Sequence, residues 1–373
     1  MDRDEIALEM GVFIPVGNGG WITSTKSPQT PSTYQFNRQV TVLAEKLGFD
    51  FVLSMAKWRG YGGPSQHWDQ TLESLTTMCG LAEATTRIGV WGTVHTMIFH
   101  PAVVAKMAAV IDQISGGRFG LNLVAGSNPY DQGQMGLWRD LDHAGRYRLA
   151  EEWITVAKRL WTEERVNHAG EFYTLEDCVS APKPRRMPPI ICAGASDRGF
   201  RFTVENCSGG FFIGSDSDDF VNTGLRAKKM AAELNRPDFK TYALFMIIPG
   251  ETDQDAQRRV DLYVEGADIV ALNAQSFEYS ADRSFKQNTS ANMFVRQGSA
   301  ASPFMSVPVR GAPRTIGRKL ADLVRRAKLN GVIAVMPDFI DDLHIIGTDV
   351  VAALAGEGII TTACKMTQSE AAL

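Results

Sequence analysis

Several common catalytic signatures are missing from this 373-residue sequence. There is no G-x-S-x-G elbow, no H-E-x-x-H, no Walker A loop and no G-x-G-x-x-G opening a helix after a strand. Nucleophile-elbow hydrolysis, zincin chemistry and dinucleotide binding of the usual kind are therefore not indicated. Cysteine is scarce: Cys79, Cys178, Cys192, Cys207 and Cys364 are odd in number, widely spaced and never C-x-x-C. That pattern excludes a disulfide framework or zinc ribbon and fits reduced thiols in a cytoplasm. The six histidines show no metal-ligand spacing, so no metal site is expected. Charge of one sign is lacking too. The net charge is -4, and no Lys/Arg block appears that would track phosphates, so nucleic acid is not an expected partner. Long apolar runs are absent: the stretch Thr96–Ile114 is broken by His100, Pro101, Lys106 and Asp112, and no membrane span is expected. The first ten residues are acidic and show no apolar signal region.

What is present is a repeated short apolar run. Eight occur: Met10–Val16, Phe49–Met55, Arg87–Val94, Phe119–Gly126, Pro189–Gly194, Gly210–Gly214, Thr241–Pro249 and Gly331–Pro337. They are mostly continuous rather than alternating, as strands buried on both faces should be. Helical spacing fills the gaps. Tyr34–Leu47, Val103–Ile114 and Tyr147–Leu160 each carry an apolar stripe at three- and four-residue steps. Eight strand–helix units predict an α/β chain folded as a (β/α)8 TIM barrel over one domain, residues 1–373, with its core at about 10–356. Periodicity leaves a doubly wound sheet open; the count of eight favours the barrel. Two connections exceed a plain unit: Ser127–Met187 after the fourth strand and Gly250–Asn330 after the seventh. The second holds a predicted helix at Asp253–Ala267, a polar segment at Ala274–Ser302 and a last helix at Thr315–Leu329. Long loops in a compact domain are usually functional.

In a barrel the chemistry lies at the C-terminal strand ends. Ser54, Met55 and Lys57 end the second strand, and Thr93 and His95 the third. Asn122 sits inside the fourth between Leu121 and Leu123, where an amide is costly unless hydrogen-bonded. One such residue ordinarily just satisfies neighbouring backbone, but two on adjacent strands point to a site. The loop Gly194-Ala195-Ser196-Asp197-Arg198-Gly199 enters a helix with small residues, which suits a phosphate and is equally common as an ordinary turn and cap. His95 offers a general base, although a single histidine at a barrel mouth as often only packs. Trp21, Trp58, Trp68, Trp91 and Trp138 lie near strand ends or loops and can line a flat ring pocket, with core packing the plainer reading. Reactivity without a built-in catalytic kit suggests a bound organic cofactor.

The stretch Ile111–Gly126, IDQISGGRFGLNLVAG, resembles the D-x-x-S-G-G-R-x-x-x-N-x-V-x-G segment of the bacterial luciferase-like, reduced-flavin-dependent monooxygenases. Within that superfamily the chain is most similar to the pyrimidine monooxygenases of uracil ring opening, from Gly11 to Gly356. Gly11–Thr25, Phe49–Gly60, Asp69–Ser74, Pro101–Ala108, Gln134–Trp138, Gly170–Tyr173 and Ile191–Asp197 carry the likeness. The resemblance implies reduced FMN (FMNH2) and O2, a flavin peroxide that attacks a small ring substrate, and a separate NAD(P)H:flavin reductase. It implies that Ala56, Lys57 and Asn122 contact the flavin, and that Arg146, Tyr147, Gly194 and Ser196 hold FMN, the last two at its phosphate. Thr93 and Asn122 would flank the O2 pocket. Ser127 and Asp131 stand where the family has a Trp and a Glu facing the substrate, and His95 where a small residue is expected; Trp21 joins them on the substrate side. A homo-oligomer is expected by analogy. Other readings of the same barrel are oxygenation of a sulfone, sulfonate or halogenated aromatic, an F420-dependent dehydrogenase, and a flavin binder without catalysis.

Overall fold

The computed structural model describes residues 5–126, 129–280 and 302–365. Eight parallel strands close on themselves. They are β1 (Glu9–Phe13), β2 (Phe51–Leu53), β3 (Gly89–His95), β4 (Phe119–Val124), β5 (Ile190–Cys192), β6 (Gly209–Phe212), β7 (Lys240–Pro249) and β8 (Gly331–Val335). Each pairs with the next in sequence, and β8 returns to β1 through Gly331↔Glu9 to Ala334↔Val12. A closed barrel, not a doubly wound sheet, is formed. Each of the eight apolar runs supplies one of these strands, with ends differing by a few residues. The reason is burial on both faces: all of β8, and β7 from Thr241 to Pro249, are buried.

The N-terminal end of the barrel is plugged by aromatics. Phe51 and Trp91 stack at 4.1 Å, and Tyr242 meets both edge-on. Glycine makes room for them, since a Cβ on Gly11 would lie 2.3 Å from the Phe51 ring and one on Gly120 2.6 Å from Trp91. Trp91 is therefore a barrel-floor residue rather than a pocket wall. With the floor filled, open space is left at the C-terminal mouth.

Helices wrap the barrel: α1 (Tyr34–Lys46), α2 (Ser74–Glu83), α3 (Pro101–Ser115), α4 (His143–Thr162), α5 (Asp197–Asn206) and α6 (Ser217–Glu233). After β7 come α7 (Asp253–Glu265), α8 (Ile269–Ser280) and α9 (Pro313–Ala327). Local chemistry sets their ends. Pro101 opens α3, and Gly116 closes it in the left-handed region at φ 69°. Arg118 then reaches back, donating to the carbonyls of Ala82, Thr85, Ile88 and Ser115. The Ser-Gly-Gly-Arg run thus ties the end of α3 to the α2–β3 loop.

The two long connections are as expected in place. The first holds a short helical turn (Pro129–Gly133), α4 and an antiparallel hairpin of Val166–Ala169 with Thr174–Cys178. The second holds α7, α8 and a strand, Pro308–Gly311, paired with the end of β7. Ser127 and residues 281–301 of the polar segment lie outside the described residues. Among the described residues, no helix is long and apolar enough to cross a membrane.

Candidate functional site

A cavity of about 420 Å³ opens at the C-terminal mouth, within the usual range for small-molecule sites. One side is built by the ends of β1 to β4 and their loops, including Trp21, Lys57, Trp68, His95 and Asp131. The other is built by β5, β6 and α4, including His143, Arg146, Tyr147, Gly194 and Ala195. Thr93 and Asn122 lie between them.

Thr93 and Asn122 are register partners on β3 and β4. The Asn122 amide Nδ2 donates to Thr93 Oγ1 at 3.0 Å, and that hydroxyl donates to the Ser54 carbonyl. Three strands are thus linked by two side chains. Asn122 Oδ1 is buried and has no hydrogen-bond partner among the described residues. An amide oxygen withheld from water without a partner is costly.

His95 is no free base. Its Nε2 donates to the Ala56 carbonyl at 3.1 Å, and its Nδ1 accepts from Gln132 Nε2 at 2.8 Å. The two contacts select the neutral Nε2–H tautomer. Burial lowers its pKa, and Lys57 adds to that, against Asp131 and the Ala56 carbonyl, which favour the charged form. The general-base expectation gives way to a fixed wall residue, because both ring nitrogens are engaged.

Lys57 is buried in an ion cluster, with Nζ 3.1 Å from Asp131 Oδ1 and 3.3 Å from Glu278 Oε2. Asp131 Oδ1 also accepts from the backbone N–H groups of Trp58 and Arg59. This carboxylate lines the cavity while holding the β2 loop in place.

Across the cavity, Ser196 caps α5 by accepting from the Gly199 N–H at 3.1 Å, and it lies 3.1 Å from His143 Nε2. Gly199 is required here, since a Cβ would lie 2.1 Å from the Tyr147 hydroxyl. Arg146 is buried and donates to the Leu141 carbonyl. Burial pushes the Tyr147 hydroxyl well above its ordinary pKa, so it stays protonated and available as a donor.

Of the expected residues, Trp21, Ala56, Lys57, Thr93, His95, Asn122, Asp131, Arg146, Tyr147 and Gly194 all line this cavity. Ser196 sits behind it as the cap. Trp68 lines it as well, whereas Trp58 and Trp138 are not in its wall. Sequence reasoning missed His143, Gln132 and the pair Glu278 and Tyr279 on α8. The i, i+4 spacing of His143 and Tyr147 on one helix was an available signal. Nothing in the local sequence of α8 announced that it would return to Lys57. Among the described residues, no group of three or more His, Cys, Asp or Glu side chains is placed to hold a metal.

A family model described as luciferase-like monooxygenase matches residues 8–326. A pyrimidine monooxygenase RutA of Methylorubrum extorquens is 39% identical over 348 residues, covering 92% of each chain. The protein of the same name from an Escherichia coli strain is 36% identical over 350 residues, covering 93% of this chain and 91% of that one. Among solved structures, a riboflavin lyase (RcaE) with modified FMN and riboflavin aligns with a TM-score of 0.83 at 17% identity. That alignment covers 95% of this chain and 93% of the other, and it is a likeness of fold.

Proposed function

The chain belongs to the luciferase-like monooxygenase family, and from that premise we propose that it uses reduced FMN and O2 to open the ring of a pyrimidine or related N-heterocycle. The observation that carries this reading is the hydrogen-bonded Thr93–Asn122 pair lining a barrel-mouth cavity in a chain whose relatives are named pyrimidine monooxygenases.

The residues present fit a flavin mononucleotide. The N-terminus of α5, capped by Ser196 and preceded by Gly194 and Ala195, offers backbone donors and a positive dipole end to a phosphate. Arg146 adds a fixed positive charge, and the Tyr147 hydroxyl a donor. Asn122 Oδ1 and the backbone of Ala56 and Lys57 would meet the flavin ring. Bound there, reduced FMN supplies the electrons and activates O2.

The protein's part is to orient and to keep water out. Trp21, Phe13 and Met55 make an apolar wall, with both the Trp21 indole N–H and its ring engaged by Phe13. His95 has both ring nitrogens engaged by Ala56 and Gln132, and its ring shapes the pocket beside Asp131. Thr93 and Asn122 set polar groups between the flavin side and the substrate side. A dry cavity strengthens each of these interactions and suppresses wasteful oxidation.

The test is a reconstituted reaction. The protein, FMN, NADH, a separate flavin reductase and uracil are combined under air, and ring-opened product is followed by mass spectrometry. Product should require the reductase and O2. Robust NADH oxidation by this chain alone, or anaerobic turnover with F420, would overturn the reading.

A further inference from the structure

Helix α6 gives the cavity part of its wall, and the residues it contributes there are mostly polar. Asp219, Asn222, Thr223 and Arg226 all line the cavity, at the three- and four-residue steps that put side chains on one helix face. Asp219 is spent at the start of the helix, where it accepts from the Ser215 N–H and hydroxyl. The others have donors to spare. The side chains of Asn222 and Thr223 make no hydrogen bond among the described residues. The Arg226 guanidinium makes one, from Nη2 to Asp197 Oδ1 at 2.7 Å, which leaves Nε and Nη1 unspent.

This cation is held in place. Its guanidinium lies 4.4 Å over the Phe200 ring, itself part of the cavity wall. Asp197 and Phe200 both belong to the first turn of α5, so the two contacts fix Arg226 beside the start of that helix. Gly194 and Ala195, which lead into α5, line the same cavity. A guanidinium with free N–H groups at a cavity rim suits an anion, and phosphate oxygens are its best-matched acceptors.

We propose that Arg226 binds the flavin phosphate, with Thr223 beside it, and is with Arg146 the second cation of that subsite. This rests on the reading of the cavity as a flavin mononucleotide site. FMN and riboflavin, which lacks the phosphate, are titrated calorimetrically into the wild type, Arg226→Gln, Arg226→Lys and Asp197→Asn. Each flavin is used oxidised under air and reduced without O2. Arg226→Gln should raise the Kd for FMN about tenfold and leave that for riboflavin within about twofold, with Arg226→Lys between it and wild type. Asp197→Asn breaks the same ion pair but removes a negative charge, so FMN binding should hold or tighten. If Asp197→Asn weakens FMN as much as Arg226→Gln does, Arg226 only braces α6 against α5 and the assignment is overturned. An unchanged ratio of FMN to riboflavin affinity in Arg226→Gln overturns it too. The Arg226 side chain is 42% exposed, so its loss should leave the fold intact. Should Arg226→Gln fail to fold, Arg226→Lys decides: an unchanged ratio overturns, a reduced one supports. If the wild type binds neither flavin, the cofactor reading itself falls and takes this assignment with it. If the wild type binds both flavins equally, only the assignment falls.

Discussion

Asn122 has two ends with different tasks. Its Nδ2 is spent on Thr93, whose hydroxyl is in turn spent on the Ser54 carbonyl, while Oδ1 is buried without a partner among the described residues. Preorganised polar groups of this kind contribute on the order of 10²–10³ in rate. Asn122→Ala should therefore lower product formation by about that factor while the barrel stays folded. Thr93→Ala removes the group that orients Asn122 and should spare FMN affinity while diverting reducing equivalents into hydrogen peroxide. Product formed per reduced flavin consumed is the measurement. If Thr93→Ala keeps wild-type coupling, Thr93 is an ordinary strand residue that satisfies Ser54.

At the scale of elements, the ion cluster is what brings the β2 loop, the turn Pro129–Gly133 and α8 together. Lys57 comes from the first, Asp131 from the second and Glu278 from the third, and all three side chains are buried. Lys57 also lies 4.6 Å over the Tyr61 ring, whose hydroxyl meets that of Tyr279. Buried charges of this sort hold geometry more than they add stability, but removing one partner strands the other. Lys57→Met removes the buried cation between the two carboxylates, while Arg59 stays 3.9 Å from Glu278 and the Trp58 and Arg59 N–H groups still meet Asp131, and should cost about 3 kcal/mol. Denaturant unfolding would measure it. A loss below about 1 kcal/mol would mean that water reaches the carboxylates and the cluster does not hold α8.

Across the whole molecule, buried neutral histidines make stability depend on pH. Burial pushes His67 down to about 3, only partly opposed by Asp268, against an ordinary value near 6.5. His95 is lowered as well, again mainly by burial. Between those two pH values the unfolded chain binds protons that the folded one refuses. Stability from this source is thus complete above about pH 6.5 and is lost as pH falls toward 3. The Tm should drop on acidification from pH 7 to 5, and His67→Gln should make that slope shallower. An identical slope in the variant would show that His67 takes up its proton without disturbing the fold.

The barrel was legible in the sequence because strands buried on both faces must be continuously apolar, and eight such runs were countable. The ends of α3 were legible for a local reason: Pro101 and Gly116 act through their own backbone geometry. Most of the cavity followed from position, since residues closing barrel strands point to one mouth. Tertiary structure decided the rest. Whether His95 was a base or a wall depended on Gln132 and Ala56, which approach its two nitrogens only once the loops pack. The buried cluster of Lys57 with Asp131 and Glu278 exists only because the turn Pro129–Gly133 and α8, far along the chain, both reach the β2 loop. That Trp68 lines the cavity while Trp58 and Trp138 do not could not be read from sequence, because its place depends on contacts with Asn18 and Gly20. Periodicity and turn chemistry are written locally, whereas protonation, pairing and strain depend on neighbours that only the closed barrel supplies.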